Sequence, residues 1–244
     1  MNCARGNRTF LIDPMLGRKG SFGVFPWTDD ERANPLVELP FSDEELSRKL
    51  DGVDAVFVSH LHPDHWDEAA VKRIDKTTPV ICPGGIAKAI ASYGFQNILE
   101  LHHLLNFEGI NLHLANGQHG TGEIGEKMGP VNGILFEHQG HSVYIAGDTI
   151  WCQPVREVID AHRPQHIIVA GGAATFAIGQ PVTMTAQDIK ALAAYAPSSK
   201  VCITHLEAVS PCKENRTFLM AFLRSNSLHE QCRVLEDGEE VELL

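Results

Sequence analysis

Short apolar runs separated by polar and glycine-rich punctuation set the rhythm of the chain. Residues 9–12, Thr-Phe-Leu-Ile, read as a short strand ending at Asp13-Pro14, and residues 53–58 as a buried one. The intervening segment to about Pro40 is rich in Gly, Pro, aromatic and charged residues and predicts a long loop. Ser42, with Glu45 three residues on, marks the cap of a short helix to Leu50. Helices are expected from near Asp67 to Ile74, from about 86 to 93, over 154–161, over 185–195 behind a cap at Thr185 and Asp188, and over 213–224. Strands are expected at 79–82, 98–101, 111–115, 133–138, 142–146, 166–170 and 200–204, with a closing pair at 233–235 and 241–243. Gln139-Gly140 supplies the hairpin turn between two of them.

This order fits two packed sheets with helices outside, and a doubly wound parallel sheet competes with it. At 244 residues the chain can bury a sizeable core without staples, and no repeat or linker divides it, so one domain over 1–244 is expected. The net charge of −11, without a Lys/Arg run, excludes attraction to a nucleic-acid backbone. Six scattered cysteines (Cys3, Cys82, Cys152, Cys202, Cys212, Cys232) form no C-x-x-C and suit a reducing compartment. The N-terminal stretch lacks an apolar core, and the longest apolar run, about 167–178, is too short and glycine-rich to span a bilayer. A cytoplasmic protein without a membrane partner is expected.

The densest chemistry is Ser59-His60-Leu61-His62-Pro63-Asp64-His65-Trp66-Asp67, at the mouth of the buried strand. Imidazoles and a carboxylate at this spacing suit borderline divalent metals. In extended chain His60 and His62 face one way and can grip one ion together. Pro63 then turns the chain and swings Asp64 and His65 toward a second ion. Three later residues also follow apolar strands: His119, Asp148 and His205. Taken alone, His119 equally fits an ordinary loop histidine, and Asp148 after glycine fits a turn. Their common placement at strand ends joins them to the first group. His60, His62 and His119 would hold one ion, Asp64, His65 and His205 the other, and Asp148 would bridge, since a carboxylate can offer both oxygens. Zn²⁺, Mn²⁺ and Fe all accept such N/O ligands.

H-x-H-x-D-H, a distant His, Gly-Asp-Thr and a strand-end His, in this order, resemble the metallo-β-lactamase superfamily of metal-dependent hydrolases. Leu11-Ile12-Asp13-Pro14, the 120–130 loop and Thr204-His205-Leu206-Glu207-Ala208 resemble its L-ascorbate-6-phosphate lactonase-like branch. The resemblance implies an α+β fold, a four-layer αββα sandwich of two mixed sheets flanked by helices, with a dinuclear site. It gives Asp13 the role of accepting a hydrogen bond that orients a ligand histidine. Relatives carry an extra strand before the Leu-Ile-Asp-Pro strand. With about eight residues before Thr9, that first hairpin is expected to be truncated, and an exposed edge favours a homo-oligomer.

The implied reaction is hydrolysis of an ester-like bond, a lactone or cyclic ester, in a small molecule. Paired ions would supply hydroxide near neutral pH, with Asp64 and Asp148 as catalytic residues holding it. The oxyanion would be met by a metal, aided by an amide of the glycine-rich loop after His119. The alternatives are a phosphodiesterase acting on a small phosphodiester and a non-catalytic metal-binding protein that kept the fold. Trp66 as a pocket wall competes with Trp66 as packing, and Lys127 as an attractor of an anionic substrate competes with a solvated lysine. Glu207 and Ser210 fit either support of the site or turn roles. His102, His103, His138 and His141 read as structural or surface groups, and Cys152 and Cys202 as packers.

Overall fold

The computed structural model describes residues 2–5 and 8–243. Two mixed sheets face each other. The smaller runs in the order β1 (Asn2–Arg5), β2 (Arg8–Ile12), β3 (Ala55–Phe57), β4 (Val80–Pro83) and β5 (Ile98–Leu101). Only its first pairing is antiparallel. The larger holds β6 (Leu104–Phe107), β7 (Ile110–Asn116), β8 (Asn132–His138), β9 (His141–Ile145), β10 (His166–Ala170), β11 (Lys200–Thr204) and β12 (Cys232–Val234) in simple succession. It is antiparallel from β6 to β9 and parallel from β9 to β12.

Side-chain alternation along each strand sorts the apolar residues into three layers. Phe10, Ile12, Phe57 and Ile81 of the small sheet meet Leu112, Ile134, Phe136, Val143 and Ile168 of the large one. Phe10 and Phe136 touch edge to face, with ring centroids 5.0 Å apart. Leu11, Val56, Val80 and Cys82, one position out of phase, face outward under α1 (Asp43–Asp51), α2 (Glu68–Arg73) and α3 (Gly84–Ser92). Leu135, Tyr144, Ile167, Val169, Val201 and Ile203 pack against α5 (Gln153–His162), α6 (Ala186–Tyr195) and α7 (Arg216–Ser225). Strands with both faces covered need apolar residues at successive positions, which is why the sequence shows continuous apolar runs there. The result is the αββα sandwich, and the doubly wound alternative is excluded by the two separate sheets.

Both expected capping boxes form. Ser42 accepts from the Glu45 amide while the Glu45 carboxylate accepts from the Ser42 amide, and Thr185 and Asp188 do the same. The first hairpin, expected to be truncated, has a four-residue outer strand, β1, pairing Asn2 with Leu11 and Arg5 with Arg8; residues 6 and 7 lie outside those described. Several other expectations need correction. Residues 241–243 form no strand. Helix α7 starts at Arg216 rather than at 213, because Asn215 takes the cap and accepts from the Phe218 amide. The 120–130 stretch, expected as loop, holds a helix, α4 (Gly122–Met128), anchored by buried Ile124 and Met128. Strand β6 lies at the edge of its sheet with Leu104 exposed, so no alternating pattern announced it. Cys82, Cys152, Cys202, Cys212 and Cys232 are free, while the side chain of Cys3 lies outside the described part. No helix among the described residues is long and apolar enough to cross a membrane.

Candidate metal centre

Each candidate ligand sits just beyond the C-terminal end of a strand. Strands β7 and β9 are both antiparallel to β8, and β9 to β11 are parallel, so β7, β9 and β11 all deliver their ends to one rim. His119 follows β7, Asp148 follows β9 and His205 follows β11, while β3 hands the chain to 59–67 from the facing sheet. At Gly147 (φ 70°) an added Cβ would lie 2.6 Å from the Asn132 carbonyl oxygen, so only glycine lets the chain turn there to present Asp148. Asp13 and His205 themselves hold left-handed conformations, at φ 45° and 55°. Such conformations cost non-glycine residues of order 1–3 kcal/mol and persist where surrounding contacts over-determine them.

The seven predicted side chains come together in two adjoining groups, His60, His62 and His119, and Asp64, His65, Asp148 and His205. His60 Nε2 and His62 Nδ1 are 2.9 Å apart. His205 Nε2 is 3.1 Å from Asp64 Oδ2 and 3.4 Å from Asp148 Oδ2. His65 Nε2 is 3.1 Å from Asp148 Oδ2 and 3.8 Å from Asp64 Oδ2. His119 Nε2 is 3.9 Å from the same Asp148 oxygen. Ligands at about 2.0–2.1 Å from a tetrahedral ion stand roughly 3.3 Å from each other. The observed separations bracket that edge length.

Hydrogen bonds on the far side of the rings fix which nitrogens carry lone pairs. The Asp13 carboxylate accepts from the Ser59 amide at 2.7 Å, from the Ser59 hydroxyl at 2.7 Å and from His65 Nδ1 at 3.0 Å. Ser59 has thus spent its only proton, so its oxygen accepts from His60 Nδ1–H at 2.8 Å and leaves His60 Nε2 bare. His119 Nδ1 donates to the Val182 carbonyl at 2.9 Å, which leaves Nε2 bare there too. His205 Nδ1 faces the Cys212 thiol at 3.7 Å. Asp64 Oδ1, Asp148 Oδ1 and His65 Nε2 are buried without a hydrogen-bond partner. Carboxylate oxygens without a hydrogen-bond partner thus share a buried space with imidazole nitrogens, an arrangement that positive charge must balance. The donor set fits divalent cations.

The electrostatics agree. Burial, reinforced by neighbouring imidazoles, holds His60 well below the ordinary histidine value, and burial also lowers His62 and His119. These three rings stay neutral, as ligands must. Burial opposes charge on His65 and His205 as well, but Asp148, together with Asp64 and, for His65, Asp13, outweighs it and holds both well above that value. Burial likewise raises Asp64 and Asp148, yet His65 and His205 keep both carboxylates below their usual range.

Residues given no role by the sequence brace the centre. Thr149 Oγ1 accepts from the Gln118 amide at 2.9 Å and donates to the Ile150 carbonyl at 3.0 Å, tying the His119 loop to the Asp148 turn. Asp67 caps α2 through Oδ1, and its Oδ2 accepts from the amides of Leu16 and Gly17, clamping the long loop beside the motif. Asn34 fastens the same loop to Ser210, accepting from its amide at 2.8 Å. Trp66 is buried against Phe95, so it packs rather than lines the centre. Lys127 lies 5.1 Å over the Trp27 ring. Glu207 pairs with Arg216 and accepts from its amide, a structural contact. Cys152 packs in the outer core and Cys202 between the sheets. His102 is exposed near Glu100, and His138 bonds the Gly109 carbonyl.

A buried gathering of histidines and aspartates on the rim of an αββα sandwich defines a class, and comparison with known proteins agrees. Residues 8–206 match the Beta-lactamase superfamily domain, and the chain belongs to that family. It is 38% identical to the UPF0173 protein YddR of Bacillus subtilis (strain 168) over 237 residues, 96% of this chain and 92% of that one. The crystal structure of a possible metal-dependent hydrolase from Veillonella parvula superposes with a TM-score of 0.94 at 30% identity, covering 99% of this chain and 95% of that one. An isothiocyanate hydrolase from Delia radicum gut bacteria superposes with a TM-score of 0.92 at 28% identity over the same shares. The protein is a metal-dependent hydrolase of the metallo-β-lactamase fold.

Proposed function

We propose that the two groups of side chains each hold a divalent ion, Zn²⁺ or Mn²⁺ with Fe also compatible, and that the chain hydrolyses an ester-like bond, a lactone or cyclic ester, in a small molecule. The observation that carries this reading is the place of Asp148, whose Oδ2 lies 3.1 Å from His65, 3.4 Å from His205 and 3.9 Å from His119. One carboxylate thus faces both groups, as a bridge requires. Ions bound there would bring the pKa of water near neutrality and polarise the bond attacked. The chain's own part falls to Asp64 and Asp148, whose unpartnered Oδ1 atoms are free to accept from and orient that water.

Ile124, Met128, Ala174 and Val182 form an apolar cluster that abuts His119 through Val182 and His205 through Cys212. Phe176 packs on it, and Phe25 and Phe22 extend the aromatic chain at centroid distances of 6.3 and 5.4 Å.

A second reading, isothiocyanate hydrolysis, is favoured by the 28% identical isothiocyanate hydrolase, whose fold matches along 99% of this chain. Both reactions add water at an electrophilic carbon. Assay of the metal-loaded protein against lactones and cyclic esters, isothiocyanates and small phosphodiesters separates them. Turnover of a lactone or cyclic ester, abolished by Asp148→Asn, is the expected result. Turnover of isothiocyanates alone would transfer the substrate to the second reading, and activity confined to phosphodiesters, or none at all, would contradict both.

A further inference from the structure

A third set of converging donors lies outside the hydrolytic centre. His113 in β7 and Glu137 in β8 share a face of the large sheet, as diagonal neighbours of a register that pairs Asn111 with Glu137 and His113 with Leu135. It is the face that carries Ala115 and Leu135 beneath Val155 and Ile159 of α5, and His162 is the last residue of that helix. Glu137 divides its oxygens between the two rings: Oε2 is 2.8 Å from His113 Nε2, and Oε1 is 3.1 Å from His162 Nδ1. The rings stand 4.6 Å apart, and one donor atom from each of the three residues lies within 4.8 Å of the others.

We propose that His113, Glu137 and His162 form a separate binding site for a borderline divalent transition-metal ion of the zinc class. The donor types are those such ions select, two imidazole nitrogens and a carboxylate oxygen. The separations of 2.8 and 3.1 Å sit close to the edge of roughly 3.3 Å that a tetrahedral zinc polyhedron presents. They are of the same order as those in the hydrolytic centre, where His60 and His62 approach to 2.9 Å.

Charge points the same way. Among the described residues no lysine or arginine pairs with Glu137, and its ion-pair partners are the two histidines. The C-terminal end of α5 adds partial negative charge beside this half-buried carboxylate. The three side chains retain 23%, 33% and 25% exposure, so solvent can complete a fourth position. All three ligands stand on regular secondary structure, which limits the ordering cost of binding. Helix α5 opens at Gln153, soon after Asp148, and runs about 14 Å before reaching His162, which separates this ion from the other centre.

The test is equilibrium dialysis of the full chain against buffered Zn²⁺, with metal per chain measured by mass spectrometry for the wild type, Glu137→Gln and the His113→Ala/His162→Ala double variant. Each variant is expected to bind one equivalent fewer than the wild type, whatever number the hydrolytic centre takes. Equal stoichiometry in the wild type and the variants would overturn the proposal. Glu137→Gln preserves volume and hydrogen-bonding capacity, so it decides the matter if the double variant does not fold.

Discussion

The carboxylate of Asp13 meets Nδ1 of His65 at 3.0 Å across 52 positions of chain. It also takes the hydroxyl of Ser59, whose oxygen in turn fixes the proton on His60. One residue that touches neither predicted ion thereby sets the orientation of a histidine in each group. Replacing such a partner typically costs 10–100-fold in metal affinity or activity. Asp13→Asn is therefore expected to weaken metal retention by about that factor, read by competition with a chelator. Affinity equal to wild type would mean the hydrogen bond is incidental.

Proton release should report the division between the groups. In the metal-free protein burial keeps His60, His62 and His119 neutral, whereas the surrounding carboxylates hold His65 and His205 protonated through neutral pH. Ions entering the second group must displace those protons. Affinity there is expected to rise with pH until the raised histidine values are passed. The first group should keep its affinity down to pH values below the ordinary histidine range. Calorimetry in buffers of different ionisation enthalpy measures the release. Metal uptake at neutral pH without proton release would contradict the assignment.

Thr149→Val should weaken the joint between the His119 loop and the Asp148 turn. Thr149 is fully buried, and its loss leaves the Gln118 amide without its acceptor. Gln118 is itself exposed, so loss of this part-buried hydrogen bond costs about 0.5–1.5 kcal/mol. Urea denaturation of the metal-free protein should show a midpoint lowered accordingly, with no change in slope. An unchanged midpoint would show that the loops are held by other contacts.

Phe136→Ala tests the inter-sheet core. Phe136 is fully buried between the sheets against Phe10, and truncation of a buried Phe costs about 3–5 kcal/mol. Equilibrium denaturation should register a loss of that order. A loss below about 1 kcal/mol would mean that the sheets repack freely around the gap.

Much of this was readable from local chemistry. The Ser42/Glu45 and Thr185/Asp188 boxes announce helices because their bonds span three residues. The seven candidate ligands stand out because each follows an apolar strand, a feature visible without knowledge of the fold. What supports them was not visible. Ser59, Thr149 and Cys212 act through hydrogen bonds whose partners depend on how distant loops meet, and the Val182 carbonyl that orients His119 lies 63 positions away. His113, Glu137 and His162 are brought together by the β7–β8 register and the packing of α5, with α4 lying between the two strands in sequence. Helix α4 was hidden by its glycines, and β6 by its place at a sheet edge.

The most direct measurement is anomalous X-ray scattering from crystals of the metal-loaded protein, recorded across the absorption edge of the bound element. The expected result is two adjacent peaks, one among the ring nitrogens of His60, His62 and His119 and one among Asp64, His65 and His205, with Asp148 between them. A single peak, or peaks that leave Asp148 uncoordinated, would contradict a bridged pair of ions.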